Sequence, residues 1–307
     1  MTIHRNLHCP ECKTILEKKS TAYSCPNCKR IYPVIDDIPS FIDDSAVINS
    51  FDSSAFTFLF EMEKRHFYYL GRREMILDIL RNNVQNLTNL NMLEIGCGNG
   101  SIMTYLMGNN VKIEGGDIFM EALRHCRQQT KRINLYRLDI LCLPFDSDFD
   151  IIGAFDVLEH IANDDKAITE MNNALRPGGY LILTVPAYQF LWSNFDESAH
   201  HQRRYNKNEL IAKLETKGFT IRKTSYFMFF LFPLLAIIRL IGRNRITKNK
   251  TEAALNTYLE VKTFPIINDI FLAFLRLEKW LMKYANLPFG TTLLVVARKP
   301  EEKTNGR

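Results

Sequence analysis

From residue 91 onward, short apolar runs alternate with longer stretches in which apolar residues recur at helical spacing. Met92-Leu93-Glu94-Ile95 predicts a short buried strand ahead of a glycine turn. Val111 to Ile118 predicts a second strand, Ile133 to Ile140 a third and Phe149 to Phe155 a fourth. A helix over Asp164 to Leu175 is stopped by Arg176-Pro177-Gly178-Gly179, and Tyr180 to Val185 forms a fifth strand. Such alternation implies a parallel sheet covered by helices on both faces. Phe219 to Ser225 reads as a sixth strand, and its hairpin partner is Thr291 to Ala297. Between these two lies an apolar, helical insertion over 227–290, long enough to imply a function of its own.

Ahead of this core the pattern changes. Residues 43–89 join the N-terminal module to the core, and 51–84 within them mix Phe, Leu and Met with charges and predict one or two amphipathic helices. Residues 1–42 carry Cys9-Pro10-Glu11-Cys12 and Cys25-Pro26-Asn27-Cys28, two CxxC knuckles separated by twelve residues. Four thiolates at that spacing suit a closed, tetrahedral Zn²⁺ site with no open position for chemistry. A redox pair would call for a thioredoxin-like context, which is missing. The expected divisions are a zinc-ribbon-like module at 1–42, linking helices at 43–89, the core at 90–226, the insertion at 227–290 and the last strand with its tail at 291–307.

The turn after the first core strand is the first sign of chemistry. Gly96, Gly98 and Gly100 follow a strand and open a helix, with Cys97 between the first two and Glu94 just before them. Glycine there lets the backbone turn tightly and approach a ligand closely. A dinucleotide fingerprint needs a third glycine at 101, which is serine here. Asp117 ends the second strand and Asp139 the third. Acids at the carboxyl ends of adjacent strands converge on the crevice where open α/β sheets bind ligands.

Glu94-Ile95-Gly96-Cys97-Gly98-Asn99-Gly100, Asp117, Asp139, Phe149-Asp150-Ile151-Ile152 and Leu175-Arg176-Pro177-Gly178-Gly179 resemble, in order, the motifs of class I methyltransferases of the type 11/12 group. The resemblance covers about residues 90–225. It implies a Rossmann-like α/β fold with a seven-stranded sheet, one strand antiparallel, and methyl transfer from S-adenosylmethionine. By that resemblance Gly96, Cys97 and Gly98 face the methionine part of the donor, Asp117 the ribose and Asp139 the adenine. Glu94 reaches the donor's amino group directly or through water, and Asp156 borders the same site.

Asp156-Val157-Leu158-Glu159-His160 follows the fourth strand and resembles the acid-x-x-Glu-His pattern of ubiquinone-pathway O-methyltransferases and small-RNA 2′-O-methyltransferases. That resemblance implies a Mg²⁺ or Mn²⁺ on Asp156, Glu159, His160 and either His200 or His201. Aspartate at 156 departs from the glutamate of those families, and Glu-His after this strand also occurs in metal-free relatives. Glu159, His160, His200 and His201 are therefore the catalytic candidates, as cation ligands or as bases. Arg203 and Arg204 are candidates for gripping a phosphate on the acceptor.

Composition changes the picture little. The chain has 307 residues, 46% hydrophobic and 24% charged, with a formal net charge of +5, which permits an anionic partner without requiring one. Cys97, Cys126 and Cys142 show no pairing pattern and read as free thiols in a reducing compartment. With no signal-like N-terminus, the expectation is a cytoplasmic protein, peripheral at the inner face of a membrane. The insertion supports the second part: Tyr226 to Ile238 is apolar, and Arg239, Arg243, Arg245, Lys248 and Lys250 follow. A helical lid or a dimer face would select the same side chains.

Three functions fit. The first is methylation of a hydroxyl on a small, membrane-associated or lipid-linked acceptor. The second is RNA methylation, suggested by resemblance to rRNA guanine methyltransferases with an N-terminal zinc module; it is weakened by the lack of a basic, aromatic-studded surface for nucleic acid. The third is a non-catalytic donor-binding scaffold.

Overall fold

The computed structural model describes residues 5–42, 61–130, 133–242 and 264–301. Expectations for 43–60, and for the cations at 243–250, lie outside the described residues.

The N-terminal module is a four-stranded antiparallel meander: β1 (Glu17–Lys18), β2 (Ala22–Ser24), β3 (Ile31–Ile35) and β4 (Ile38–Pro39). Each CxxC knuckle ends in a residue forced to positive φ, Lys13 at 58° and Lys29 at 64°. In each, that lysine's N–H donates to the carbonyl of the knuckle's first cysteine, at 2.8 and 3.1 Å. The tight reversal turns both sulfurs of a knuckle inward.

The core is a seven-stranded sheet with spatial order β10-β11-β9-β8-β5-β6-β7. Its strands are β5 (Asn91–Ile95), β6 (Lys112–Asp117), β7 (Leu135–Arg137), β8 (Phe149–Phe155), β9 (Leu175–Pro186), β10 (Thr220–Phe227) and β11 (Thr292–Arg298). β5 to β9 run parallel, and β11 enters antiparallel between β9 and β10. The predicted α/β class and the late-arriving hairpin strand are both present.

Two boundaries differ from expectation. The third core strand is only three residues long, because Leu138 turns to donate to the Asp117 carbonyl and the Asp139 carboxylate captures the Leu141 N–H at 2.8 Å. The fifth starts five residues early, at Leu175, which pairs with Phe149. Arg176 to Gly179, read as a turn, lie within it; the Arg176 guanidinium holds Asp150 at 2.9 Å, and β8 and β9 shift register there.

The helices are α1 (Phe67–Asn83), α2 (Ser101–Met107), α3 (Met120–Gln129), α4 (Asp164–Ala174), α5 (Asn194–Ser198), α6 (Lys207–Thr216), α7 (Phe232–Gly242) and α8 (Pro265–Leu281). α1 is the predicted linking helix, but it has no simple apolar stripe. It is sandwiched, with Ile76 and Leu80 fully buried in the core and Gly71 facing α8. A Cβ at Gly71 would stand 2.5 Å from the Leu275 side chain, so the missing side chain sets how closely α8 approaches α1.

The module is fused to the core. Leu7, Cys9, Tyr32 and Phe41 share one apolar cluster with Tyr136, Phe145 and Phe149. Arg5, almost wholly buried, donates to Glu114 at 2.8 and 2.9 Å, and Lys13 pairs with Glu170 at 2.8 Å. Ser40 bridges in parallel to Arg137, and the Phe41 N–H donates to the Arg137 carbonyl at 2.8 Å. The module thereby continues the sheet past its edge strand β7.

Candidate active site

The glycine loop is shaped by its neighbours. The Gly96 and Cys97 N–H groups donate to the Gly116 carbonyl at the end of β6, at 2.8 and 3.1 Å. Gly96 has φ +70°, and a Cβ there would meet Val157 at 2.4 Å. Gly98 has φ +51° and would meet nothing within 4 Å, so the backbone at this point borders open space. Cys97 itself is buried.

Asp117 is buried beside this space. Its carboxylate accepts from the Gly98 N–H at 2.8 Å and the Phe119 N–H at 2.9 Å, while burial pushes its pKa above the usual range. Glu94 is 2% exposed, its Oε2 has no partner, and burial drives its pKa well up. Asp139 is half-buried on the next strand edge. The expected acids therefore stand in a row at one end of the sheet.

Sequence reasoning missed what α1 brings to this row. Tyr68 Oη donates to Asp156 Oδ2 at 2.7 Å, and the Arg72 guanidinium pairs with the same carboxylate. Glu63, from a helical turn at 61–65, is mostly buried near Arg72, with Oε2 unpartnered and its pKa raised by burial. The sequence signal was weak, since Arg72 is one of five charged residues on α1.

Asp156 is thus corrected as a cation ligand. Its Oδ1 accepts from Thr184 Oγ1 at 2.9 Å and its Oδ2 is taken by Tyr68 and Arg72, so the short aspartate arm is spent on holding α1. The arginine and these donors outweigh burial and hold its pKa below the usual value.

Glu159, His160 and His201 do come together, with one ligand atom from each lying within 4.8 Å of the others. Glu159 is 1% exposed with an unpartnered Oε2, and burial pushes its pKa well up. Burial and the neighbouring His201 lower the His160 pKa to about 4. The two imidazoles meet edge to face, centroids 4.7 Å apart. His200, at φ 55°, lies outside this group.

What delivers His201 is the segment 193–205. The Gln202 N–H donates to the Glu159 carbonyl at 2.7 Å, stitching the segment to the loop after β8. His201 Nδ1 meets Asp196 Oδ1 at 2.7 Å, leaving Nε2 as the other nitrogen of the ring. Asp196 is fully buried and gripped through both oxygens by Arg204, at 2.8 and 2.9 Å. Against the cost of burial, these partners hold its pKa down at about 2. Arg204 is therefore no phosphate clamp, and Arg203 is likewise tied, to Asp164 at 3.1 Å and the Ala162 carbonyl at 2.8 Å. Tyr205 is buried, bonding Asp164 at 2.8 Å and the Leu158 carbonyl at 3.2 Å.

In the module the four cysteine sulfurs also lie within 4.8 Å of one another. Cys9 to Cys28 measures 3.6 Å and Cys12 to Cys25 3.4 Å, far beyond a disulfide and near the roughly 3.8 Å edge of a tetrahedron with 2.3 Å Zn–S bonds. Hydrogen bonding with Thr14 lowers the Cys12 pKa to about 5, favouring the thiolate. The cluster is compatible with structural zinc.

Comparison with known proteins agrees with this geometry. A methyltransferase domain family matches residues 93–183. A Mycolicibacterium smegmatis protein described as a "probable S-adenosylmethionine-dependent methyltransferase" is 26% identical over 160 residues, covering 51% of this chain and 61% of that one. A Rickettsia bellii ubiquinone biosynthesis O-methyltransferase is 22% identical over 118 residues, covering 37% and 49%. The chain thus spans only about half the length of the curated relatives it matches. A chain in the complex of the Haloferax volcanii Trm112 methyltransferase activator with a methyltransferase shares the fold, with TM-score 0.51 and 18% identity over 81% of this chain and 94% of that one. With the seven-stranded sheet, the glycine loop and the row of acids already in place, residues 93–183 match a methyltransferase domain, and the relatives they resemble include proteins named as S-adenosylmethionine-dependent.

Proposed function

We propose that the protein transfers a methyl group from S-adenosylmethionine to a hydroxyl of a small acceptor that is lipid-linked or otherwise held at a membrane. The observation that carries the hydroxyl is the Asp196–His201 pair beside Glu159 and His160. An amine or thiol needs less help from a base than a hydroxyl, whose proton must leave as the bond forms. The acceptor oxygen forms its bond to the methyl carbon as the carbon–sulfur bond breaks, and sulfur keeps the bonding pair as a neutral thioether. The hydroxyl proton passes to His201 Nε2, and Asp196 stabilises the imidazolium through Nδ1.

In the donor site, Asp117 binds the ribose hydroxyls, Asp139 the adenine, and the backbone at Gly96 to Gly98 the methionine part. The unpartnered Glu94 and Glu63 oxygens supply acceptors for the donor's ammonium group, and Arg72 supplies the opposite charge for its carboxylate.

In a second arrangement Glu159, His160 and His201 would instead hold a divalent cation, which would polarise the acceptor hydroxyl, with His201 Nε2 then a ligand rather than the base. Two imidazoles and one carboxylate suit Mn²⁺ better than Mg²⁺. The orphaned Glu159 oxygen and the Asp196 carboxylate behind His201 are what such a ligand set requires.

Incubation with methyl-labelled donor and a fractionated cell extract tests the reading. Label in the organic phase, stable to alkali as an ether is, supports it. Label in RNA, or in an alkali-labile ester, would overturn it, and no labelled product in any fraction would favour a donor-binding scaffold.

A further inference from the structure

α7 and α8 each carry an apolar side that packs against none of the described residues. A helix packed on one neighbour needs one apolar face, and α8 has that face in Leu272, Leu275 and Met282 just beyond its end, packed in the core that includes α1. Its other face carries Ile266, Ile270, Phe274, Leu277 and Trp280, all exposed, with Ile266 at 76%. On α7 the exposed stripe is Leu234, Ile237, Ile238 and Ile241, at intervals of three and four, with Ile241 at 70%. The two stripes are joined by aromatic rings: Phe230 meets Phe274 at 5.8 Å, and Phe289 meets Phe229 at 4.5 Å and Phe232 at 5.3 Å. These rings connect the two exposed stripes, and large exposed apolar patches of this kind mark interaction sites.

The charge of the insertion's sequence favours an anionic occupant. The insertion, 227–290, holds nine Lys or Arg against four Asp or Glu, a net of +5, which equals the formal net charge of the whole chain. The rest of the protein is neutral. Arg243, Arg245, Lys248 and Lys250 follow α7 directly in the sequence. At the far end of α8, Trp280 and Tyr284 are exposed and stack edge to face at 5.3 Å; aromatic residues of this kind favour the boundary between headgroups and acyl chains. No helix among the described residues is long and apolar enough to cross a membrane. α7, with eleven residues, reaches only about 16 Å, roughly half a hydrocarbon core.

We propose that α7 and α8 form a single interfacial docking surface that seats the protein on a bilayer rich in anionic phospholipid. The surface also adjoins the candidate active site. α8 packs on α1, which supplies Tyr68 and Arg72, and their shared contact is fixed by Gly71. α7 packs on the helical turn Gln189–Leu191, with Arg239 donating to the Leu191 carbonyl at 3.2 Å, just ahead of Asp196 and His201. Docking would therefore bring the helices that support both walls of the site close to the membrane. This purpose rests on the lipid-linked acceptor reading; the docking itself does not.

Flotation of the whole protein with vesicles, without donor or acceptor, tests the proposal. Vesicles of phosphatidylcholine mixed with phosphatidylglycerol should carry the protein upward, phosphatidylcholine alone much less, and high salt should release it. Ile238→Ser with Ile270→Ser, both at exposed positions, should lower the partition coefficient on the order of 10-fold or more, with unchanged thermal unfolding and donor affinity. Failure of the wild type to float with either vesicle would overturn the proposal, as would flotation indifferent to the two substitutions. So would a concentration-dependent dimer that the same pair abolishes, since a second copy would then cover the face. Any of these results leaves methylation of a hydroxyl to be judged by the labelling experiment alone.

Discussion

The molecule assembles two groups of metal-type side chains by opposite means. The cysteine cluster draws all its ligands from two knuckles within one small meander, and each knuckle is closed by its own backbone turn. The Glu159–His160–His201 group joins two loops far apart in sequence, and its second histidine is held by Asp196, which is in turn held by Arg204. The first cluster is closed by its own turns; the second keeps one unpartnered buried oxygen, Glu159 Oε2, an unusual expense in such a place. Local spacing builds a staple, whereas a poised group needs a supporting shell from elsewhere in the chain.

Substitutions separate the two. The largest effect is expected from His201→Ala, which removes the proposed base while leaving the proposed donor contacts in place: turnover should fall about 100- to 10,000-fold. Single-turnover kinetics alongside calorimetric donor titration would check this, and unchanged turnover would return the group to a structural role. Asp117→Ala should act on the other axis, weakening donor binding by on the order of 1.5–3 kcal/mol, roughly 10- to 150-fold in Kd. An unchanged Kd in a folded variant would displace the donor site from the glycine loop.

A milder effect is expected from Asp196→Asn, which loosens the orientation of His201. Turnover should drop about 10- to 100-fold with little change in donor Kd. Because Arg204 loses its charged partner in a buried place, thermal unfolding should also move to lower temperature. The smallest effect on turnover belongs to Cys25→Ser. Purified protein should carry close to one zinc per chain, and the variant much less. At low temperature its turnover should change by no more than a small factor, while protease should cut residues 5–42 faster. A large loss of turnover with intact donor binding would mean that the two clusters are not independent.

The contrast also explains what could be read in the chain alone. The strands, the glycine loop, Asp117, Asp139 and the CxxC knuckles follow from spacing within a few residues, so periodicity reveals them. The antiparallel arrival of β11 was legible because its partner strand had nowhere else to go. Asp196 and Arg204 were not, because an acid and an arginine in a polar loop look the same whether solvated or fully buried. Asp156 was misjudged as a ligand for a related reason. Its partners, Tyr68 and Arg72, sit on a helix more than eighty residues earlier, and no local pattern records that contact. Which side of α7 and α8 faces outward was equally hidden, since both faces are apolar and only the tertiary packing decides between them.

The bridge from Ser40 to Arg137 has a consequence for life in a crowded solution. A parallel sheet ends in unpaired N–H and C=O groups, and β7 is such an end, only three residues long. The meander lies across it, and the meander's shape depends on the cysteine cluster. Stripping the metal would therefore expose a strand edge able to recruit the same edge of another molecule. The first visible symptom of chelation should be self-association that grows with protein concentration, before any change in the methyl-transfer site. If the four cysteines hold zinc, they would guard solubility, and loss of the metal would show first as aggregation rather than as inactivity.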